Sequence, residues 1–276
     1  MDNLEFEMLT AAELHEYIDS QNESDYLLID VRQPEEYEEN HIPGASLIPL
    51  PQLEADLYSL PGDKDLIFYC SNEGRSQWAA SLAGESDISS KKIYHLVGGM
   101  LAWQGKTIQG YPRVKVFDKH QNLSELLLTA MNLEKGAWRY YRYMLVSFAG
   151  KTIFPVIATL AKAEKAHAQR LYRFLQKTSE TQTSFEDLYR GLNGEILEGG
   201  LPLVEMVREV VSVPVRHSLN FIQTSLSIEY AAFDLYRTMA QQAKSPQPHA
   251  TFLSLAQAEK AHMKILSKSI KMCAEE

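Results

Sequence analysis

The sequence predicts two domains of different class: an α/β domain, with a parallel sheet flanked by helices, and then an all-α four-helix bundle. Three observations predict this. The 276 residues exceed the usual size of one hydrophobic core. Up to residue 112, short apolar runs alternate with helical stretches, and from residue 122 onward apolar residues recur at helical spacing. We place the domains at residues 1–115 and 120–276, with the boundary near 113–119.

The predicted sheet contains three short apolar runs. They are Tyr26–Asp30, Leu66–Cys70 and Ile93–Val97. Short apolar runs separated by helices are typical of parallel strands covered on both faces. We therefore expect helices on both sides of this sheet.

Cys70 ends the second run, and a short loop leads from it into a predicted helix. Backbone N–H groups at a helix N-terminus point at such a residue and stabilise a thiolate or persulfide anion. A buried inert cysteine is the alternative, but burial does not require the Gly-Arg-Ser turn at residues 74–76. The chain has only two cysteines, which excludes a disulfide framework and a Cys-x-x-Cys metal site. We predict that Cys70 is a nucleophile.

Four segments of the first domain resemble a single-domain rhodanese over about residues 8–112. They are Asp30-Val31-Arg32, His41–Ala45, Cys70–Ser76, and Val97–Met100 with Trp103. The resemblance implies that Cys70 carries sulfur as a persulfide, passes it to a thiol acceptor, and works with Arg75. It also implies an anion pocket that binds substrate, lined by Ser71, Asn72, Glu73, Gly74 and Ser76. Protein-tyrosine-type phosphatases place five residues between Cys and Arg. This loop has four, which favours sulfur over phosphate.

Charged residues near this loop lead to three further expectations. Glu73 should repel an anionic donor such as thiosulfate, which leaves the identity of the donor open. Asp30 and Arg32 should form a supporting ion pair. His41 and His95 are expected to be structural, as lone histidines usually are.

The second domain reads as two long helical hairpins joined by a crossover that contains a short helix over 203–211. The hairpins pair residues 121–148 with 153–178 and 215–243 with 248–273. The segment Leu160–His167 recurs 95 residues later as Leu255–His262, with a single difference, and Glu134 and Tyr141 recur as Glu229 and Tyr236. This half is therefore an internal duplication.

Each repeat places a Glu and a His three residues apart, on one face of a helix that also carries apolar residues. The midpoints of Glu134 with Glu164 and of Glu229 with Glu259 fall at residues 149 and 244, beside turn residues, so all four carboxylates should lie at one level. Buried carboxylates cost several kcal/mol unless they are neutralised. Two divalent cations would neutralise them, whereas a purely structural bundle would not.

One Glu from each of two helices and a Glu-x-x-His from each of the other two is the ligand set of ferritin-like di-iron proteins. Residues 120–276 resemble the rubrerythrin branch of that superfamily, which implies two iron ions. The implied ligands are Glu134, Glu164, His167, Glu229, Glu259 and His262. Spacing alone leaves manganese and zinc open. Rubrerythrins carry a further Glu where this chain has Ala232, and no rubredoxin domain follows.

Other residues of the helical half receive simpler expectations. Tyr141 and Tyr236 should hydrogen-bond the ligand carboxylates. Glu195 and Glu198 are expected to be solvated turn residues, and Cys273 a plain helix-end residue.

The sequence thus predicts a sulfurtransferase coupled to a di-iron redox site that reacts with oxygen or peroxide. The helical half could instead scavenge peroxide independently of sulfur transfer. A further alternative is an iron-binding or storage module joined to a persulfide sensor with little turnover. We expect a small-molecule sulfur donor, a thiol acceptor, an external electron donor and a homodimer through the helical domain.

Composition adds three exclusions. A net charge of -9 without a basic stripe argues against nucleic acid as a partner. No apolar run reaches the 18 residues of a membrane span. The acidic start of the chain lacks a secretion signal, so we expect a cytoplasmic protein.

Overall fold

A computed structural model describes residues 6–86, 88, 91–117, 122–179, 183–212 and 217–273. The chain divides into two compact units, Met1–Tyr111 and Pro112–Glu276. Among the described residues, every helix falls short of the length or the hydropathy that crossing a membrane would need. The predicted linker residues 118 and 119, the predicted helix-start residues 121, 215 and 216, and the side chain of Cys273 lie outside the described residues.

The first unit contains a five-stranded parallel sheet. Its strands are β1 (Glu7–Leu9), β2 (Tyr26–Asp30), β3 (Ser46–Leu47), β4 (Asp65–Tyr69) and β5 (Ile93–Leu96), in the order β1-β5-β4-β2-β3. All pairings are parallel. The helices are α1 (Ala11–Ser20), α2 (Pro34–Glu39), α3 (Leu50–Ala55), α4 (Gly74–Gly84) and α5 (Gly99–Ala102).

The central strands of this sheet are buried on both faces. Ile29 and Phe68 belong to one apolar cluster, and Leu28 and Ile67 belong to another. Because side chains alternate between the faces of a strand, the sheet separates two cores. This confirms the predicted α/β class. Strands β1 and β3, which the sequence analysis did not identify, complete the edges of the sheet.

The second unit is a bundle of four long helices, which confirms the predicted all-α class. These helices are α6 (Leu123–Ser147), α7 (Phe154–Thr178), α10 (His217–Gln242) and α11 (Pro246–Cys273). Helix α6 begins with a capping box, in which Asn122 and Glu125 bond each other's backbone N–H groups. The turns after Ser147 and Gln242 fall where the midpoint argument puts them.

The crossover between the hairpins contains α8 (Phe185–Gly191), β6 (Ile196–Leu197), β7 (Leu201–Pro202) and α9 (Leu203–Val211). Strands β6 and β7 form a short antiparallel ribbon, in which Leu197 pairs with Leu201. The predicted short helix over 203–211 is present as α9.

Candidate functional site

Cys70 lies at the carboxyl end of β4, and the loop of residues 71–73 connects it to α4. Its side chain is fully buried. The backbone N–H of Glu73 donates to the Cys70 Sγ at 3.1 Å, and Ser76 Oγ lies 3.6 Å from the same sulfur. The loop is fixed from the other side by α5, because Met100 N–H donates to the Cys70 carbonyl at 2.8 Å. The sulfur therefore lies in a rigid turn at the start of a helix.

The surroundings of the sulfur favour its anionic form. Burial by itself raises the pKa of the Cys70 thiol. The hydrogen bonds that the sulfur shares with the Ser76 hydroxyl and with the backbone N–H groups of Ser76, Glu73 and Asn72 outweigh burial, and the net pKa lies below its ordinary value. A thiol with a lowered pKa is a better nucleophile near neutral pH.

Arg75 pairs with Glu36 of α2. The Arg75 Nη1 and Nη2 atoms donate to the two carboxylate oxygens of Glu36, both at 2.7 Å. Ser71 Oγ donates to Glu36 at 2.5 Å and lies 3.0 Å from Arg75 Nη2. The guanidinium lowers the pKa of Glu36 to about 2. The sequence analysis gave Glu36 no role, and this carboxylate ties two loop residues to α2.

The other predicted loop residues differ in exposure. Asn72 and Gly74 are exposed, Glu73 is half-buried, and Ser76 is buried with its hydroxyl donating to the Glu73 carbonyl at 2.9 Å. Glu73 has a φ of 119°, and it is the one non-glycine residue of the described chain with a positive φ. That conformation costs an L residue about 1–3 kcal/mol, so the turn around Cys70 holds local strain.

The predicted ion pair between Asp30 and Arg32 is present and buried, with Arg32 Nη2 2.7 Å from Asp30 Oδ2. His41 is buried and stacks on the Tyr37 ring. His95 is also buried, and burial lowers the pKa of its imidazole. Both histidines are therefore packed inside the first unit.

The four-helix unit brings the six predicted metal-ligating residues together in its core. His167 Nδ1 lies 3.3 Å from Glu134 and 3.2 Å from Glu164. His262 Nδ1 lies 3.1–3.2 Å from Glu164, Glu229 and Glu259. The two imidazole rings stack with their centroids 5.0 Å apart. Each helix contributes at one level, as the register argument predicts.

The two predicted tyrosines cross between the repeats. Tyr236 donates to Glu134 at 3.0 Å, and Tyr141 donates to Glu229. Both tyrosines are fully buried. Each phenol therefore orients the carboxylate that belongs to the other repeat, which confirms the expected hydrogen bonds.

Glu198 is a member of this cluster that the sequence analysis missed. It was expected in solvent, but it is 1% exposed and its carboxylate faces those of Glu134 and Glu164. The expectation was wrong because the crossover lacks helical periodicity, so its sequence gives no inward face. Glu195, three residues earlier, is exposed as expected.

Both oxygens of Glu198 have no hydrogen-bond partner among the described residues, whereas Glu134 Oε2, both oxygens of Glu164 and Glu259 Oε2 each lie 3.1–3.3 Å from an imidazole Nδ1. Unpaired buried oxygens of this kind cost several kcal/mol. Burial raises the pKa of Glu198 and of Glu259 well above its ordinary value. Burial alone lowers the pKa of His167, but Glu134 and Glu164 outweigh it and raise the pKa to about 11. Oxygen and imidazole donors fit divalent iron, manganese or zinc.

Apolar clusters lie on both sides of this polar layer. Along α6, Leu127 and Leu133 belong to one cluster and Tyr140 and Met144 belong to the other, with Glu134 between them. The same change occurs around Glu229, between Ile228 and Ala232. The carboxylates and imidazoles are therefore shielded from water at both ends.

Two protein families match separate parts of the chain. "Rhodanese-like domain" matches residues 10–106, and "Rubrerythrin" matches residues 220–276. The second match covers the hairpin of α10 and α11, whose Glu and His spacing the first hairpin repeats.

Individual relatives align with the first unit. YtwF of Bacillus subtilis is 33% identical over 104 residues, which are 38% of this chain and 96% of YtwF. A sulfurtransferase of Allochromatium vinosum is 30% identical over 79 residues, 29% of this chain and 72% of that protein. YqhL of Bacillus subtilis is 43% identical over 79 residues, 29% of this chain and 61% of YqhL. Several relatives at 36–43% identity are matched over only 24–61% of their own length.

Proposed function

Because the chain belongs to the rhodanese-like family through residues 10–106 and has a rubrerythrin domain at its C-terminus, we propose that it couples sulfur transfer to a di-iron redox site. Cys70 carries the sulfur as a persulfide, and a bound metal pair would supply the redox chemistry with peroxide or oxygen. The observation that carries the proposal is the Cys70 sulfur, which is buried at the start of α4 and accepts a backbone hydrogen bond.

Sulfur transfer at Cys70 is a redox-neutral exchange of S–S bonds. The Cys70 thiolate attacks the sulfane sulfur of thiosulfate or a donor persulfide, so a new S–S bond forms while the donor's bond breaks and releases sulfite or a thiolate. The thiolate of an acceptor thiol then attacks the terminal sulfur, and Cys70 leaves as a thiolate. The N–H groups of Glu73 and Asn72 stabilise the anion in both states.

Arg75 serves this exchange by positioning the loop. Its guanidinium is shared with Glu36, which also accepts from Ser71, so the three side chains clamp the turn that bears Cys70. A turn held in this way keeps the amides aimed at the sulfur without rearrangement during transfer. Ser71, Asn72, Glu73, Gly74 and Ser76 then surround the transferred sulfur.

In the second unit, the proposed metal ligands are Glu134, Glu164, His167, Glu229, Glu259 and His262. Bound iron would supply electron transfer to peroxide, whose reduction to two waters consumes two electrons and two protons. An external donor supplies those electrons. Glu164 and Glu259 would each help to hold both metal ions, because each belongs to ligand groups around both histidines. Tyr141 and Tyr236 orient the outer carboxylates, and burial excludes bulk water.

The test compares wild type with Cys70→Ser and with Cys273→Ser, which replaces the only other cysteine. Transfer from thiosulfate to cyanide should fall to background in Cys70→Ser and persist in Cys273→Ser, with equal iron content in all three proteins. A serine hydroxyl cannot hold a persulfide. Transfer that survives in Cys70→Ser would contradict the proposal. Stoichiometric iron binding without peroxide turnover would favour the storage alternative for the helical unit.

A further inference from the structure

Glu198 has no counterpart in the duplicated ligand set, yet it lies in the same core. It is 1% exposed, and neither carboxylate oxygen has a hydrogen-bond partner among the described residues. One of its oxygens lies within 4.8 Å of ligand atoms of Glu134 and Glu164, which are themselves 4.8 Å or less apart. A buried and unpartnered carboxylate is destabilising unless a cation or a proton meets it.

The crossover is built to bring Glu198 into the bundle. Gly199 has a φ of 72°, and a Cβ there would lie 2.6 Å from the Ala231 side chain and 2.9 Å from the Ala232 backbone nitrogen. Only glycine allows the backbone to approach α10 so closely. On the opposite side, a Cβ on Gly136 of α6 would lie 2.0 Å from the Ile196 carbonyl. Residues 196–199 therefore pack closely against α6 on one side and against α10 on the other.

Hydrogen bonds with α6 also fix the part of the crossover that precedes Glu198. Asn132 Oδ1 of α6 accepts from the Gly194 N–H at 3.0 Å, and Lys135 donates to the Tyr189 carbonyl at 2.6 Å. Leu197, immediately before Glu198, is fully buried. The inward position of Glu198 therefore follows from a fixed backbone and not from a freely rotating loop.

We propose that Glu198, supplied by the crossover, is a fifth carboxylate ligand of the metal pair. The inference rests on the proposed di-metal site. It assigns the additional carboxylate to the position shared by Glu134 and Glu164, next to His167.

The test uses the full chain as wild type, Glu198→Gln and Glu198→Ala, with Glu195→Gln as matched control from the exposed part of the crossover. Each protein is reconstituted anaerobically with Fe(II) and challenged with a ferrous chelator, and thermal melts are recorded with and without iron. Glu198→Gln keeps the shape of the side chain and removes its charge. Glu198→Ala removes the polar group altogether, and it shows whether the effect of Glu198→Gln comes from the loss of the carboxylate or from the amide that replaces it.

Both Glu198 variants should retain iron at least about ten-fold more weakly than wild type, a lower bound taken from the loss of groups that merely support ligands. Without iron, Glu198→Gln should melt above wild type, because one unpartnered carboxylate is gone. Its stabilisation by iron should be smaller. A charge effect of opposite sign in the two forms is expected of a carboxylate that meets the metal, and not of one with a purely structural role.

Other outcomes separate the inference from the function on which it rests. If wild type binds two irons and the Glu198 variants retain them equally well, with an unchanged gain in melting temperature, Glu198 is not a ligand and the di-metal site stands. If Glu195→Gln loses iron as readily as Glu198→Gln, the effect belongs to the crossover as a whole and the inference is overturned. If wild type binds no iron, both proposals fail.

Discussion

The clamp between Glu36 and the Cys70 loop can be tested by removing one charge. In Glu36→Gln the side chain keeps its length, and its single amide oxygen can still accept from either Ser71 or the Gln33 N–H, which donate to different oxygens of Glu36. It loses the ion pair with Arg75, in which both donors lie 2.7 Å from the carboxylate. The variant should therefore destabilise the first unit at neutral pH.

The size of the loss follows from the pKa of Glu36, which Arg75 lowers from 4.5 to about 2. Such a shift corresponds to at most roughly 3 kcal/mol. The side chains of Arg75 and Glu36 are 32% and 33% exposed, so solvent screening reduces the expected value to about 1 kcal/mol. A group with a lowered folded-state pKa contributes in full above its unfolded pKa and loses that contribution as the pH falls. The difference should be present at pH 7 and should vanish between about pH 5 and pH 2.

Urea unfolding monitored by tryptophan fluorescence can measure this loss. The chain has three tryptophans, and in a Trp138→Phe background the remaining two, Trp78 and Trp103, both lie in the first unit. A loss of about 1 kcal/mol corresponds to a midpoint about 0.5 M lower in urea. Glu35→Gln, in the same first turn of α2, is the control and should leave the midpoint unchanged. An equal loss in Glu35→Gln, or a loss in Glu36→Gln that persists at pH 2, would refute the reasoning.

Two further predictions concern the site residues. His167→Ala and His262→Ala should each retain about one iron per chain where wild type retains two, because each removes the imidazole of one position. Elemental analysis measures the iron content. The control variant Lys162→Ala, at an exposed position, should match wild type. Glu73→Gln should lower the KM for thiosulfate about two- to five-fold, because it removes a repelling charge beside Cys70, and the effect should shrink in high salt. The control variant Glu85→Gln, at the far end of α4, should leave the KM unchanged. An unchanged KM in Glu73→Gln would place that carboxylate away from the donor.

The clustering of the six proposed ligands could be predicted from the sequence because helices have a fixed rise and pitch. Once two hairpins are assigned, residues equally far from a turn lie level, and a three-residue spacing puts Glu164 and His167 on one face. The same reasoning places Tyr141 on the same helix face as Glu134, seven residues or about two turns further along. In a regular helix, the number of residues between two side chains is therefore enough to predict how far apart they lie.

The contacts that the sequence analysis did not predict all depend on loops, on the crossover or on the order of the strands, which show no regular sequence period. Glu36 and Arg75 are 39 residues apart, and they meet because β2 and β4 are neighbours in the sheet, which places α2 beside the loop after β4. No local pattern encodes that order of strands. Glu198 escaped for a similar reason, since its position depends on Gly199 and Gly136 permitting close backbone approaches that a sequence alone does not specify.

The duplication and its exception together determine how the two proposed metal positions differ. Tyr141 and Tyr236 repeat 95 residues apart, and the six proposed ligands form pairs at the same offset, so each proposed metal position would receive equivalent groups from the two hairpins. Glu198 belongs to the crossover that joins the repeats, and a crossover occurs once in the chain. Its carboxylate lies with Glu134 and Glu164, so one position has an extra negative group that the duplication cannot supply to the other. Because an additional anion stabilises a cation of higher charge, the position near Glu134 should be the harder of the two to reduce.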